Sequence, residues 1–232
     1  MFHVKPLAPT DIGTAARAVF GDRVPIVERY AERLASSGID RGLIGPREAD
    51  RLWERHLLNS AVLGELIPRS CRVLDVGSGA GLPGIPLALA RPDLHVVLLE
   101  PMARRVAWLH EVVGELSLTI AVHRGRAEDP RVRDELGRSG VVTARAVAPL
   151  RRLARWCLPL VAPGGRLLAV KGASAEQEVA RDVHAIRAMG GAAVEVVQCG
   201  ATIVQPPTTV VVVSRLAERV APPVRGRRRK DR

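Results

Sequence analysis

A chain of 232 residues that is 47% hydrophobic can bury one core of ordinary size, and its three scattered cysteines (Cys71, Cys157 and Cys199) suggest neither a disulfide framework nor a metal site. Its apolar runs are too short to cross a bilayer, and the opening MFHVKPLAPTDIG lacks the charged-then-apolar order of a secretory signal, so a cytoplasmic protein without membrane contact is expected. The net charge of +11 points instead to a polyanionic partner. Seven of the basic residues fall in Arg219–Arg232, a tail expected to be disordered and to supply part of that attraction. Of the 35 Lys and Arg only three are lysines, which makes Lys171 more informative than any single arginine.

The first 70 residues read as a helical extension. VPIVERYAERLASSG puts Val27, Tyr30, Ala31 and Leu34 on one face, and PREADRLWERHLLNSAVLGELIP puts Ala49, Leu52, Trp53, Leu57 and Leu63 near another, with Pro25 and Pro46 at helix starts. From Cys71 to about residue 217 short apolar runs alternate with helical stretches. The strand candidates are RVLDV, HVVLLE, TIAVH, VVTARAV, RLLAVKG, AVEVVQ and TVVVVSRL, and helices follow the first five. That alternation predicts a parallel sheet covered on both faces. Between the last two strands, CGATIVQPPTT has room for a hairpin but no helix, so the last strand should pair antiparallel. Seven strands in that arrangement describe an α/β fold of the class I S-adenosylmethionine-dependent methyltransferase type, a Rossmann-like sheet with one reversed strand.

The glycine loop after the first strand, VLDVGSGAGLPG, is where such a sheet binds a nucleotide. Its GAGLPG also fits the dinucleotide-binding G-x-G-x-x-G, so two ligand classes compete. A pyrophosphate needs free N–H groups at the helix start, and Pro83 and Pro86 remove two of them. Asp75 adds a carboxylate that would repel a phosphate and tolerate a cationic sulfonium. Glu100, ending the second strand, suits the two hydroxyls of a ribose, and Ala127, Glu128 and Asp129 follow the third strand where an adenine would lie. Together these favour S-adenosylmethionine over NAD, with Ser78, Gly79 and Gly81 of the loop lining its site.

The segments LWERHLLNS, LDVGSGAGLPGIPLAL, RGRAED, TARAVAPL and LLAVKG, in this order and spacing, resemble the RsmG family, also called glucose-inhibited division protein B. The resemblance runs from about Ala16 to Ser214. It implies a cytoplasmic, monomeric enzyme that moves a methyl group from S-adenosylmethionine to N7 of a guanosine in 16S ribosomal RNA, as free RNA or within the small subunit. It further implies cofactor contacts at Gly77, Leu82, Ala127, Glu128 and Arg145, a ribose acid at Glu100, and RNA-facing basic groups at Arg104, Arg126 and Lys171, with Arg126, Arg145 and Lys171 the catalytic candidates. One departure stands out: the family commonly opens its fourth strand with an aromatic–Asp pair, and here those positions read Ser139-Gly140.

Guanine N7 carries a lone pair and no proton, so its methylation needs alignment rather than a general base. Arg145, at a strand end, is open to two partners: the carboxylate of the cofactor's methionine moiety or an RNA phosphate. Cys157 lies in an apolar helix and reads as packing. His56 reads as a satisfied core histidine more readily than as a catalytic one.

Overall fold

The computed structural model describes residues 11–217; the basic tail from Glu218 onward lies outside the described residues. The strands are β1 (Arg72–Val76), β2 (His95–Glu100), β3 (Ala121–Arg124), β4 (Ser139–Arg145), β5 (Val161–Val170), β6 (Gly191–Cys199) and β7 (Thr208–Arg215). They form one seven-stranded sheet in the order β3-β2-β1-β4-β5-β7-β6. The pairs among β1 to β5 are parallel, and β7 runs antiparallel to both neighbours. The hairpin through Cys199–Thr208 imposes that reversal, because its short loop has no room for a crossover.

Alternation along each strand divides the core into two layers. Val73, Val96, Leu98, Val141, Leu168, Val210 and Val212 face one side, with the N-terminal helices α1 (Ile12–Phe20) and α2 (Val24–Arg33), together with α4 (Gly84–Ala90) and α5 (Ala103–Glu115). Leu74, Leu99, Val142, Leu167, Ala169 and Val211 face the other, under α6 (Pro130–Leu136), α7 (Leu150–Cys157) and α8 (Ala175–Ala188). The N-terminal extension thus shares one apolar core with the sheet. Val27, Tyr30, Ala31 and Leu34 are buried in it, as their helical spacing predicts.

The second N-terminal segment departs from expectation. It is not one helix but a 3-10 turn (Pro46–Arg51), a π turn (Trp53–Leu58), one α turn (α3, Asn59–Ala61) and a second 3-10 turn (Val62–Leu66). Leu52, Leu57 and Leu63 are still buried and Trp53 half-buried, whereas the side chain of Ala49 lies outside the described residues. Strand β5 starts five residues earlier than RLLAVKG suggests, and β4 starts at the Ser139-Gly140 pair itself. Both residues have a local reason there. The buried Ser139 hydroxyl accepts from Arg72 at 2.6 Å, and a Cβ on Gly140 would lie 2.8 Å from the Cys71 sulfur.

Candidate cofactor and active site

The backbone N–H groups of the loop from Gly77 to Gly84 are nearly all satisfied within the protein. Gly77 and Ser78 N–H donate to the Leu99 carbonyl, Gly81 and Leu82 N–H to the Ser78 carbonyl, and Ile85 N–H to the Gly81 carbonyl. Gly79 N–H goes to Glu100 and Gly84 N–H to Asp75. With those donors spent inside the protein, the loop is a poor anion site, so the pyrophosphate reading loses its main physical support. The turns need glycine: Gly77, Gly79 and Gly81 all have φ between +56° and +106°. They differ in what surrounds them. A Cβ at Gly77 would meet Val147 at 2.8 Å and one at Gly81 would meet Ile85 at 2.4 Å, whereas at Gly79 nothing stands closer than 3.8 Å.

Two long-range donors fix the middle of the loop. The Tyr30 hydroxyl and the Trp108 indole N–H both donate to the Ala80 carbonyl, at 2.9 and 3.0 Å. Burial pushes the Tyr30 phenol well above its ordinary value, so it stays a donor.

Asp75 does not face the ligand space as its position at the strand end suggests. It points to the same side as Val73, fully buried beneath α4, where it accepts from Gly84 N–H (3.1 Å) and the Thr143 hydroxyl (3.0 Å). Burial raises its carboxyl to about 6, against the lowering effect of those bonds. It pins loop and sheet together and does not line the cleft beside the loop.

Beside the loop lies a cleft of about 480 Å³, lined by Gly77, Ser78, Gly79, Leu82, Glu100 and Arg145 among others. Glu100 is buried at its wall, accepting from Gly79 N–H (2.9 Å) on one oxygen and Met102 N–H (3.0 Å) on the other. A carboxylate has about four acceptor sites, so two remain for ligand hydroxyls. Gly81 packs against Ile85 and Tyr30 instead of lining the cleft. Ala127 and Glu128 lie just past β3; Ala127 is buried and Glu128 exposed, and both carbonyls accept from Arg133. They do not line this cleft.

Arg145 occupies the far wall, mostly buried. Its guanidinium donates to the Ser60 hydroxyl (3.1 Å) and makes a short contact with His56 Nδ1, and His56 Nε2 meets the Glu48 carboxylate at 2.7 Å. Since Nδ1 accepts from a cation, His56 is the neutral tautomer with its proton on Nε2, donated to Glu48. Burial and the adjacent Arg145 push the histidine below its ordinary value, and the histidine's hydrogen bond holds Glu48 below the usual carboxylate range. His56 is therefore both a satisfied buried side chain and part of the cleft wall. Sequence reasoning missed this chain of contacts, which joins residues 85 and 89 positions apart. Only LWERHLLNS hinted at it.

The other basic candidates lie outside the cleft. Lys171 Nζ is held by Glu178 (2.9 Å) and the Ala148 carbonyl (3.0 Å), so it braces the loop after β4. Arg104 is exposed at the start of α5, and Arg126 is largely exposed, 3.7 Å from Glu128. Cys157 is buried, and desolvation pushes its thiol far up, as suits a packing residue.

These groups fit an adenosyl ligand. Gly79 leaves open space above the loop where any other residue would place a Cβ, and a buried carboxylate with spare acceptor sites stands beside it. The Arg145 guanidinium on the cleft wall offers a cationic partner for a terminal carboxylate, and Arg105 lines the same cleft.

Comparison with known proteins agrees. The family described as rRNA small subunit methyltransferase G matches residues 23–206. The chain is 53% identical over 232 residues to "Ribosomal RNA small subunit methyltransferase G" of Mycobacterium sp. (strain JLS), covering all of this chain and 98% of that one. It is 57% identical over 201 residues to the protein of the same name from Mycobacterium marinum, covering 87% and 88%. Among solved structures, the S-adenosylmethionine-dependent methyltransferase SibL shares the fold at a TM-score of 0.56 and 18% identity, over 88% of this chain and 74% of that one.

Proposed function

As the chain belongs to the rRNA small subunit methyltransferase G family, we propose that it transfers the methyl group of S-adenosylmethionine to N7 of a guanosine in 16S ribosomal RNA. The observation that carries this reading is the cleft itself, where the open face of Gly79 and the spare acceptor sites of Glu100 stand opposite Arg145. When bound, S-adenosylmethionine supplies the electrophilic methyl group. The residues of the chain then have three tasks. Glu100 and the glycine loop hold the ribose end, and Arg145 offers its guanidinium to the carboxylate of the methionine moiety, held in place by Ser60 and His56. The walls around the open mouth keep the acceptor nitrogen in line with the methyl carbon.

The side chains favour an acceptor that needs no base. His56, the one histidine on the cleft wall among the described residues, has both ring nitrogens engaged and its basicity depressed. A hydroxyl or thiol acceptor would need a proton removed, whereas guanine N7 does not. In domain terms, the extension to residue 70 is part of the enzyme: it supplies Tyr30, Glu48, His56 and Ser60 to the body that spans 71–217. The partner is the 16S RNA, free or within the small subunit, and the enzyme works as a cytoplasmic monomer.

The test is transfer of labelled methyl from S-adenosylmethionine to RNA or small subunits from cells lacking the protein, followed by mapping of the modified nucleotide. One 7-methylguanosine in 16S RNA is the expected product. Label appearing on a hydroxyl, on another base, or on small molecules alone would overturn the reading.

A further inference from the structure

A second basic feature lies outside the cleft. Helices α7 and α8 pack side by side on one face of the sheet, and the groove between them, about 790 Å³, is lined by Arg151, Arg152, Arg155 and Arg181 with a single acid, Asp182. Arg151 and Arg155 are one helical turn apart, so their side chains rise on the same face. Arg152 leans on the Trp156 ring, 5.9 Å from its centroid. Asp182 is buried and already committed: it accepts from the Arg151 backbone N–H at 3.2 Å and pairs with Arg181 at 2.8 Å. Glu178, the nearest other carboxylate on α8, is spent on Lys171 and the Leu150 N–H. Both acids are thus consumed in joining the two helices, while the arginines of α7 stay exposed.

The groove is also continuous with the cofactor cleft. A shallow depression over the loop after β4 shares Ala146 and Val147 with the cleft and Pro149 and Arg181 with the groove. A strand whose base enters the cleft therefore has an open path across Ala146–Pro149 onto the arginines.

Resting on the RNA reading above, we infer that the α7–α8 groove binds the phosphodiester backbone of the RNA next to the target nucleotide. Its arginines offer charge and forked donors to phosphates and no base-reading group, so the groove adds affinity and register but no sequence choice.

The experiment compares the full chain with the double variant Arg152→Gln/Arg155→Gln and with a control, Arg23→Gln/Arg69→Gln, which removes the same charge near the N-terminal ends of the strands. RNA affinity for a 16S fragment is measured against salt, cofactor affinity by calorimetry, and binding of polyglutamate as an acidic-protein probe. The groove variant should lower the logarithmic salt slope by about 0.7–0.9 for each phosphate that it no longer neutralises and raise the KM for RNA, with cofactor affinity unchanged and the control near wild type. Equal slopes for groove variant and wild type, an equal loss in the control, or a loss confined to polyglutamate would each overturn the inference. Failure of the wild type to methylate RNA at all would instead overturn the parent reading, so the two failures are separable.

Discussion

Replacing Glu100 with Ala tests the cofactor site most directly. The carboxylate is 1% exposed and holds the Gly79 and Met102 N–H groups at 2.9 and 3.0 Å. Those charge-assisted bonds are worth roughly 1.5–3 kcal/mol each, but water entering from the cleft restores part of that, so a net destabilisation of about 1–3 kcal/mol is expected. The ribose hydroxyls lose their acceptor as well, at roughly 0.5–1.5 kcal/mol each, which corresponds to a fall in affinity of about tenfold to a hundredfold. Calorimetry with S-adenosylhomocysteine, alongside urea unfolding of the same samples, measures both quantities. An analogue lacking the 2′ and 3′ hydroxyls separates the direct contact from loosening of the loop. It should bind wild type more weakly than the parent compound does, yet the variant should barely distinguish the two. Unchanged affinity in the variant, or full discrimination between the two ligands by it, would refute the assignment of Glu100 to the ribose.

Three further outcomes follow from the same geometry. Gly79→Val should fold, since no neighbour stands within 3.8 Å of the new Cβ, at a backbone cost of about 1–2 kcal/mol for φ +56°, and it should abolish cofactor binding; normal methylation by a folded variant would show that the ligand lies elsewhere. Because the Asp75 carboxyl is raised to about 6, the native state holds its proton where the unfolded chain has released it, so this group makes stability fall as pH rises from about 4 to about 6. Asp75→Asn should remove that fall, roughly 2–3 kcal/mol, and leave the variant at least as stable as wild type at pH 7, whereas parallel stability curves for the two proteins would contradict it. Truncation after Glu218 removes seven basic side chains and one acid; weaker RNA binding at low salt with unchanged cofactor affinity and an unchanged methylation position is expected, and an identical salt slope would make the tail a bystander.

The sheet was readable from the sequence where apolar runs end in a polar signal. RVLDV and HVVLLE match β1 and β2 to the residue, because each alternates or runs apolar until a turn or a carboxylate stops it. Charge at a strand end was legible too, but its direction was not. Asp75 and Glu100 both follow apolar runs and look equivalent, yet side alternation together with Thr143, 68 residues away, buries the first beneath α4. Lys171 and Arg145 show the same limit among cations. Lys171 meets Glu178 one helix later, while Arg145 meets His56 and Ser60 from the other end of the chain. The segment from Pro46 to Leu66 misled for a different reason. Its apolar spacing satisfies a 3.6-residue period on average, and a π turn between 3-10 turns keeps that average while rotating the residues between them.

The two bonds onto the Ala80 carbonyl have a kinetic and entropic consequence. With a phenol and an indole occupying both of its lone pairs, that peptide is locked by side chains anchored in the core, and the loop has its binding shape before any ligand arrives. Association is then expected to carry little cost for ordering the chain, and to be limited by diffusion into the open mouth more than by rearrangement. The anchor reaches back to α2, so this helix acts as a brace for a loop that lies 50 residues later. Trimming it to obtain a smaller catalytic body would give up this rigidity along with Tyr30.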